Sequence, residues 1–184
     1  MPVELHTPRL LLRRFRADEL PEYVRVHTIS AELYRPFSPW SDEAIEARFE
    51  HDLARSDAEW ADGSGARFVA QLPDGRHAAY VNVGHVYRRV FQNCMIGWRA
   101  NVEVLNRGYA TEAVSTVLSY TFAPEPEGLG LHRVQAAIMP ANAASLRLAE
   151  KCGFRREGLA LKYLKIAGDW QDHVLLAKLA EEHG

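Results

Sequence analysis

The spacing of apolar positions changes several times along the chain, and each change marks an element. Within residues 5–15, Leu10, Leu11 and Leu12 lie among arginines and read as a first strand, entered through the His6-Thr7-Pro8 turn. Residues 17–26 predict a short helix. The stretch Tyr34-Arg35-Pro36-Phe37-Ser38-Pro39-Trp40 holds two prolines and cannot be helical throughout. Beyond it, Ser41 or Asp42 suits the cap of a longer helix running toward Trp60. Residues 66–100 turn to strand patterning in three antiparallel-looking runs around Phe68, Val69 and Leu72, then Tyr80, Val81 and Val83, then Met95, Ile96 and Trp98, with a Pro73-Asp74-Gly75 turn between the first two.

Helical spacing returns over residues 108–122, where Ala110, Ala113, Val114, Val117 and Leu118 share a stripe, and Pro124-Glu125-Pro126-Glu127-Gly128 ends it. In Arg133–Ile138, Val134, Ala136 and Ile138 alternate with other residues on one strand face. Residues 142–152 predict a compact helix with both ends signalled: Asn142 suits the N-cap, Gly153 the left-handed position after the C-cap, and Phe154 the apolar contact back onto Leu148 or Ala149. Residues 159–179 read as two strands joined by Ala167-Gly168-Asp169. Strands and helices intermingled in this way predict a mixed α/β layer fold. No repeat or long linker divides the 184 residues, so one domain over residues 1–184 is expected.

Composition narrows the function. A net charge of -2, with cations scattered among carboxylates, argues against a nucleic-acid partner. No apolar run nears the roughly 20 residues of a membrane span, and Arg9, Arg13, Arg14 and Arg16 interrupt the start where a signal peptide would be apolar. A soluble cytoplasmic protein is expected. Cys94 and Cys152 belong to no CxxC or Cys/His group, so neither disulfide framework nor metal site is expected, and both read as small buried hydrophobes.

The segment with most chemistry is Asn106-Arg107-Gly108-Tyr109-Ala110-Thr111-Glu112-Ala113, where a strand region meets a helix and small residues stand at Gly108, Ala110 and Ala113. A helix start carries unpaired amides and a partial positive charge, which suit a diphosphate, and small side chains let it approach. The same residues also suit close packing of helix on sheet. The segment lacks the Lys-Ser/Thr ending of a P-loop and the full GxGxxG of a dinucleotide fold.

Gly108-Tyr109-Ala110-Thr111-Glu112-Ala113 resembles the acyl-CoA signature of the GNAT superfamily of N-acetyltransferases, and specifically its ribosomal-protein-acetylating RimJ/RimL-type branch. Further matches fall in the same order: Thr7-Pro8-Arg9-Leu10-Leu11-Leu12-Arg13, Ile96-Gly97-Trp98, Leu131-His132-Arg133-Val134, Asn142-Ala143-Ala144-Ser145, Lys151-Cys152-Gly153-Phe154 and Gly168-Asp169-Trp170-Gln171-Asp172-His173. Together they cover nearly the whole chain. Two positions depart from the pattern, since Leu105 and Asn106 stand where the superfamily usually has Gln or Arg followed by Gly.

The resemblance implies a central, mostly antiparallel twisted sheet of about seven strands, splayed between the fourth and fifth, with about four helices. Acetyl-CoA would be the cosubstrate, without a metal. Its pantetheine arm would run along the fourth-strand edge at Trp98, Arg99 and Ala100, and its diphosphate would rest on Leu105, Asn106, Arg107, Gly108, Tyr109 and Ala110, with Thr111 also among the cofactor-binding residues. Asn142 would hold the arm or orient its helix. The implied reaction is direct attack of a neutral amine, a protein N-terminus or small molecule, in a ternary complex. A backbone N–H at the splay would polarise the thioester carbonyl.

Ser145 is the candidate for stabilising the departing thiolate; its alternative role is a bond to the Ala141 carbonyl or part of the helix cap. Candidate bases are His85 and Glu103, with water as the alternative, because Leu164 stands near where some relatives carry Glu. Tyr34, Pro36, Phe37 and Trp40 are expected in the acceptor wall, or else in core packing. His132 and His173 read as packing residues. A monomer or homodimer is expected. Two further readings are a non-catalytic module binding CoA or a nucleotide phosphate, and an acyltransferase using a longer acyl-CoA such as succinyl-CoA.

Overall fold

The computed structural model describes residues 3–39 and 43–183. Eight strands form one sheet in the order β1-β2-β3-β4-β5-β6-β8-β7. They are β1 (Glu4–His6), β2 (Leu11–Arg13), β3 (Ala66–Gln71), β4 (His77–Tyr87), β5 (Asn93–Ala100), β6 (Arg133–Ile138), β7 (Arg155–Ile166) and β8 (Asp169–Leu179). Five α-helices accompany them: α1 (Leu20–Ile29), α2 (Ala31–Tyr34), α3 (Ile45–Asp62), α4 (Tyr109–Phe122) and α5 (Ala143–Lys151). Neighbouring strands are antiparallel except β5 and β6.

The sheet has eight strands where about seven were expected, because residues 5–15 form a hairpin instead of one strand. The Thr7 N–H donates to the Leu10 carbonyl at 2.9 Å, and the Leu10 N–H donates to Thr7 Oγ1 at 2.8 Å. That turn folds Leu5 onto Leu12. The expected fourth and fifth strands are therefore β5 and β6. Among the described residues there are five α-helices, where about four were expected, because the chain makes one more helical turn, α2, before the proline-rich stretch. The helix toward Trp60 starts at Ile45 with Ala44 as its N-cap, which offers no side-chain oxygen. Ser41 and Asp42 lie outside the described residues. β7 starts at Arg155, earlier than the residue 159 expected, directly after α5.

Strand alternation sends neighbouring side chains into two separate cores. On one face Phe68, Val81, Val83 and Ile96 pack with Val114, Val117 and Leu118 of α4. On the other, Phe15, Val69 and Tyr80 pack with Tyr23 and Val26 of α1 and Phe49 of α3. Each fully buried Val or Leu contributes about 1.5–3 kcal/mol, so the α4 stripe read from the sequence is the main anchor of that helix.

α5 ends as its sequence indicates. Gly153 adopts φ +80°, the Phe154 N–H reaches the Ala149 carbonyl at 3.0 Å, and the Gly153 N–H reaches Glu150 at 3.0 Å, which is a Schellman motif. Buried Lys178 of β8 adds a cation there, its Nζ donating to the Cys152 carbonyl at 2.8 Å.

The gap that positions the site comes from pairing that stops early. β5 and β6 pair only at Asn93 with Arg133, Cys94 with Val134 and Met95 with Gln135. Past Met95 the strands part. The Asn101 N–H donates to the Ala78 carbonyl of β4 at 3.0 Å. By the alternation of an antiparallel ladder, the main-chain polar groups of Arg99 then face β4, and those of Trp98 and Ala100 face away from it on the gap side, where the Ala100 carbonyl accepts from the Tyr34 hydroxyl.

Candidate active site

A cavity of about 530 Å³ opens at this gap. Trp98 and Ala100 of β5, residues Leu105, Asn106, Gly108, Tyr109, Ala110 and Thr111 around the start of α4, and Asn142, Ala144, Ser145, Arg147, Leu148 and Lys151 around α5 line it. Leu33, Phe37, Ala78 and Val104 complete its wall.

The loop into α4 is held from behind. Asn101, fully buried, accepts the Glu103 N–H at 3.0 Å and donates through Nδ2 to the His77 carbonyl at 2.9 Å. The Val102 N–H donates to Ser30 Oγ at 3.1 Å. The chain then takes two left-handed residues, Asn106 at φ +61° and Gly108 at φ +82°. Asn tolerates that region and Gly occupies it without strain. Gly108 is the N-cap of α4 and no side chain caps the helix. The Glu112 N–H reaches the Gly108 carbonyl at 3.0 Å, so the amides of Tyr109, Ala110 and Thr111 precede the first intrahelical bond.

α5 begins differently. Asn142 Oδ1 accepts the Ser145 N–H at 3.1 Å, an ordinary N-cap. Of the two roles read for Asn142, its side-chain oxygen serves the helix start. The half-buried Ser145 lines the cavity, and among the described residues no hydrogen bond joins its hydroxyl to the Ala141 carbonyl or another protein group. Cys152, beside this helix, has its thiol pushed up to about 11 by burial despite Lys178 nearby, and its Sγ lies 3.7 Å from the Thr111 carbonyl.

Several expected residues stand elsewhere. Arg99 points to the opposite sheet face, its guanidinium 5.7 Å from the Tyr34 ring centre, as strand alternation requires between Trp98 and Ala100. The Arg107 side chain is not part of the cavity lining. Tyr34 is 8% exposed, and its hydroxyl donates to the Ala100 carbonyl at 3.0 Å. It therefore braces the β5 edge from behind, and burial raises its phenol pKa. Phe37 lines the cavity, whereas Trp40 lies outside the described residues. His85 is exposed at the irregular far end of β4, well away from Ala78 at the cavity end. The Glu103 carboxylate accepts from Arg25 Nη1 at 2.8 Å and is not part of the lining. His173 is buried as expected, but the His132 side chain is 55% exposed and sits 3.5 Å from Glu181.

Sequence reasoning missed Arg147 and Lys151. They are the only charged residues in the cavity lining among the described residues, and no carboxylate joins them. Their i, i+4 spacing, two residues past Ser145, puts them on one helix face and was the available signal.

A family model for the acetyltransferase (GNAT) domain matches residues 9–155. A probable N-acetyltransferase of Bacillus subtilis, YjcK, is 40% identical over 106 residues, a stretch covering 58% of this chain and 56% of that protein. The [ribosomal protein uS5]-alanine N-acetyltransferase of Escherichia coli is 28% identical, over 95% of this chain and 90% of that one. Among solved structures, Mycobacterium smegmatis RimJ in complex with CoA-disulfide superposes with a TM-score of 0.88 at 27% identity, covering 98% of this chain and 88% of that one. With a family match that runs through the parted strands, the loop and both helix starts, the chain belongs to the GNAT acetyltransferases and is a GNAT-type N-acyltransferase.

Proposed function

We propose that this chain transfers an acetyl group from acetyl-CoA directly to a primary amine in a ternary complex, with a protein N-terminus as the favoured acceptor and a small amine as the alternative. The single observation that carries the reading is one cavity joining an open strand edge at Trp98 and Ala100 to an uncapped helix start at Gly108. The first suits an amide-bearing pantetheine arm and the second a diphosphate. Arg147 and Lys151 add positive charge, and no carboxylate is part of the described lining, which suits a polyanionic cosubstrate. A main-chain N–H of β5 facing the gap polarises the thioester carbonyl.

Ser145 donates a hydrogen bond that stabilises the departing thiolate, a role its uncommitted hydroxyl leaves open, and the thiolate takes its proton from water. The amine loses its proton to water, since the described lining contains no His, Asp or Glu. Neither His85 nor Glu103 is placed to act as base. Phe37 and Leu33 form the acceptor end. The preference for a peptide amine rests on the Escherichia coli relative, named for an alanine of a ribosomal protein. The whole of residues 1–184 acts as one domain, in the cytoplasm, where unpaired Cys94 and Cys152 stay reduced.

The absence of a base in the lining also favours a non-catalytic CoA-binding module, and one assay separates the two. Acetyl-CoA is incubated with a panel of amines and N-terminal peptides while free thiol is followed and products are weighed by mass spectrometry. Amine-dependent thiol release with a mass gain of one acetyl group supports the transferase. Tight binding with no release on any amine overturns it. Succinyl-CoA in the same assay tests the acyl length.

A further inference from the structure

The Thr7-Pro8-Arg9-Leu10 turn lies at the opposite end of the sequence from the cavity, yet its side chains converge on the start of α4. Arg9 Nε donates to Glu112 Oε2 at 2.7 Å, its Nη2 lies 2.5 Å from the same oxygen, and its Nη1 donates to the Arg107 carbonyl at 2.9 Å. Thr7 Oγ1 donates to Glu112 Oε1 at 2.5 Å. The Arg9 guanidinium also stands 4.6 Å from the Tyr109 ring centre. One side chain thus grips the loop before Gly108 and the first turn after it.

We propose that Arg9 is a positioning residue that makes the uncapped start of α4 receptive to the diphosphate of the acyl donor. Two physical effects act together. A trans peptide holds its carbonyl and N–H pointing in opposite directions, so drawing the Arg107 carbonyl onto Arg9 turns the Gly108 N–H the other way, toward the side of the loop where Gly108 lines the cavity. Glu112, meanwhile, places a carboxylate in the first helical turn, where it opposes an incoming polyanion, and the Arg9 pair with the Thr7 hydroxyl neutralises and orients it. Lysine lacks the planar fork that serves carboxylate and carbonyl at once, so it cannot replace Arg9 fully. The inference rests on the donor site proposed above.

Calorimetric binding of acetyl-CoA and of S-acetylpantetheine, which lacks the diphosphate, tests it on wild type, Arg9→Gln, Arg9→Lys and Arg9→Gln/Glu112→Gln. The expected result is acetyl-CoA weakened ~10-fold or more by Arg9→Gln and less by Arg9→Lys, with part of the loss recovered in the double variant because the unpaired carboxylate is gone. S-acetylpantetheine binding, compared with wild type, stays unchanged. Equal weakening of both ligands, or no recovery in a double variant whose circular dichroism is native, overturns the role and leaves Arg9 a fold residue. Wild-type protein that binds no acetyl-CoA overturns the donor site itself, a distinct outcome.

Discussion

Two helix starts face the same cavity, and they are built in opposite ways. α5 meets one of its leading donors from within the chain: the Asn142 side chain takes the Ser145 N–H. α4 begins at a left-handed glycine that offers no side chain, and its leading amides are left for something outside the chain. An unmet donor at a helix end is a cost unless water or a ligand meets it. The difference teaches that one start is capped from within the chain, while the other is left uncapped by its side chains, which is the opening that the proposed donor site uses.

The strongest way to break the contrast is Gly108→Val. A β-branched residue at φ +82° is strained, and its Cβ would lie 3.3 Å from Arg9 Nη2. Acetyl-CoA affinity is expected to fall by roughly 100-fold or more, seen as lost thermal protection by the ligand. Retained protection would remove this helix start from the site. Next comes Ser145→Ala, which leaves the Asn142 cap intact because the cap uses a main-chain N–H. Turnover is expected to drop about 10²-fold with KM for acetyl-CoA little changed. Unchanged turnover would refute the thiolate-stabilising role.

The smallest effect sharpens the other side. Asn142→Ala removes the cap and is expected to destabilise the chain by about 1 kcal/mol, some 2–4 °C in Tm for a chain of this size, with acetyl-CoA affinity nearly intact. A large affinity loss at unchanged Tm would instead make Asn142 a ligand-binding residue.

Both helix starts were legible in the sequence because their signals are local. Asn142, Gly153 and Phe154 sit within one short segment, and Gly108 stands directly ahead of an apolar stripe. The strand gap became legible through the ordered resemblance, since nothing in residues 93–100 or 133–138 alone says where pairing stops. What escaped was side-chain destination. The Tyr34 hydroxyl reaches a carbonyl 66 positions away, and Arg9 reaches partners 98 and 103 positions away. Hydrophobic period reports which face of an element is wet, and it carries no information on such long-range polar contacts. The hairpin at Thr7 was half-legible for a related reason: the His6-Thr7-Pro8 turn could be read, but nothing local shows that Leu5 ahead of it folds back to pair with Leu12.

The gap between β5 and β6 arises where main-chain pairing ends after Met95, so its opening depends on backbone path more than on any side chain lining it. In the site proposed above, the donor contacts made to that strand edge are therefore less exposed to point substitution than those at the start of α4. The proposed acceptor wall around Leu33 and Phe37, made of side chains on a short helix and the turn after it, has no such protection. On the proposed reading, evolutionary drift can therefore rewrite which amine is welcomed while the strand edge offered to the thioester carrier stays the same.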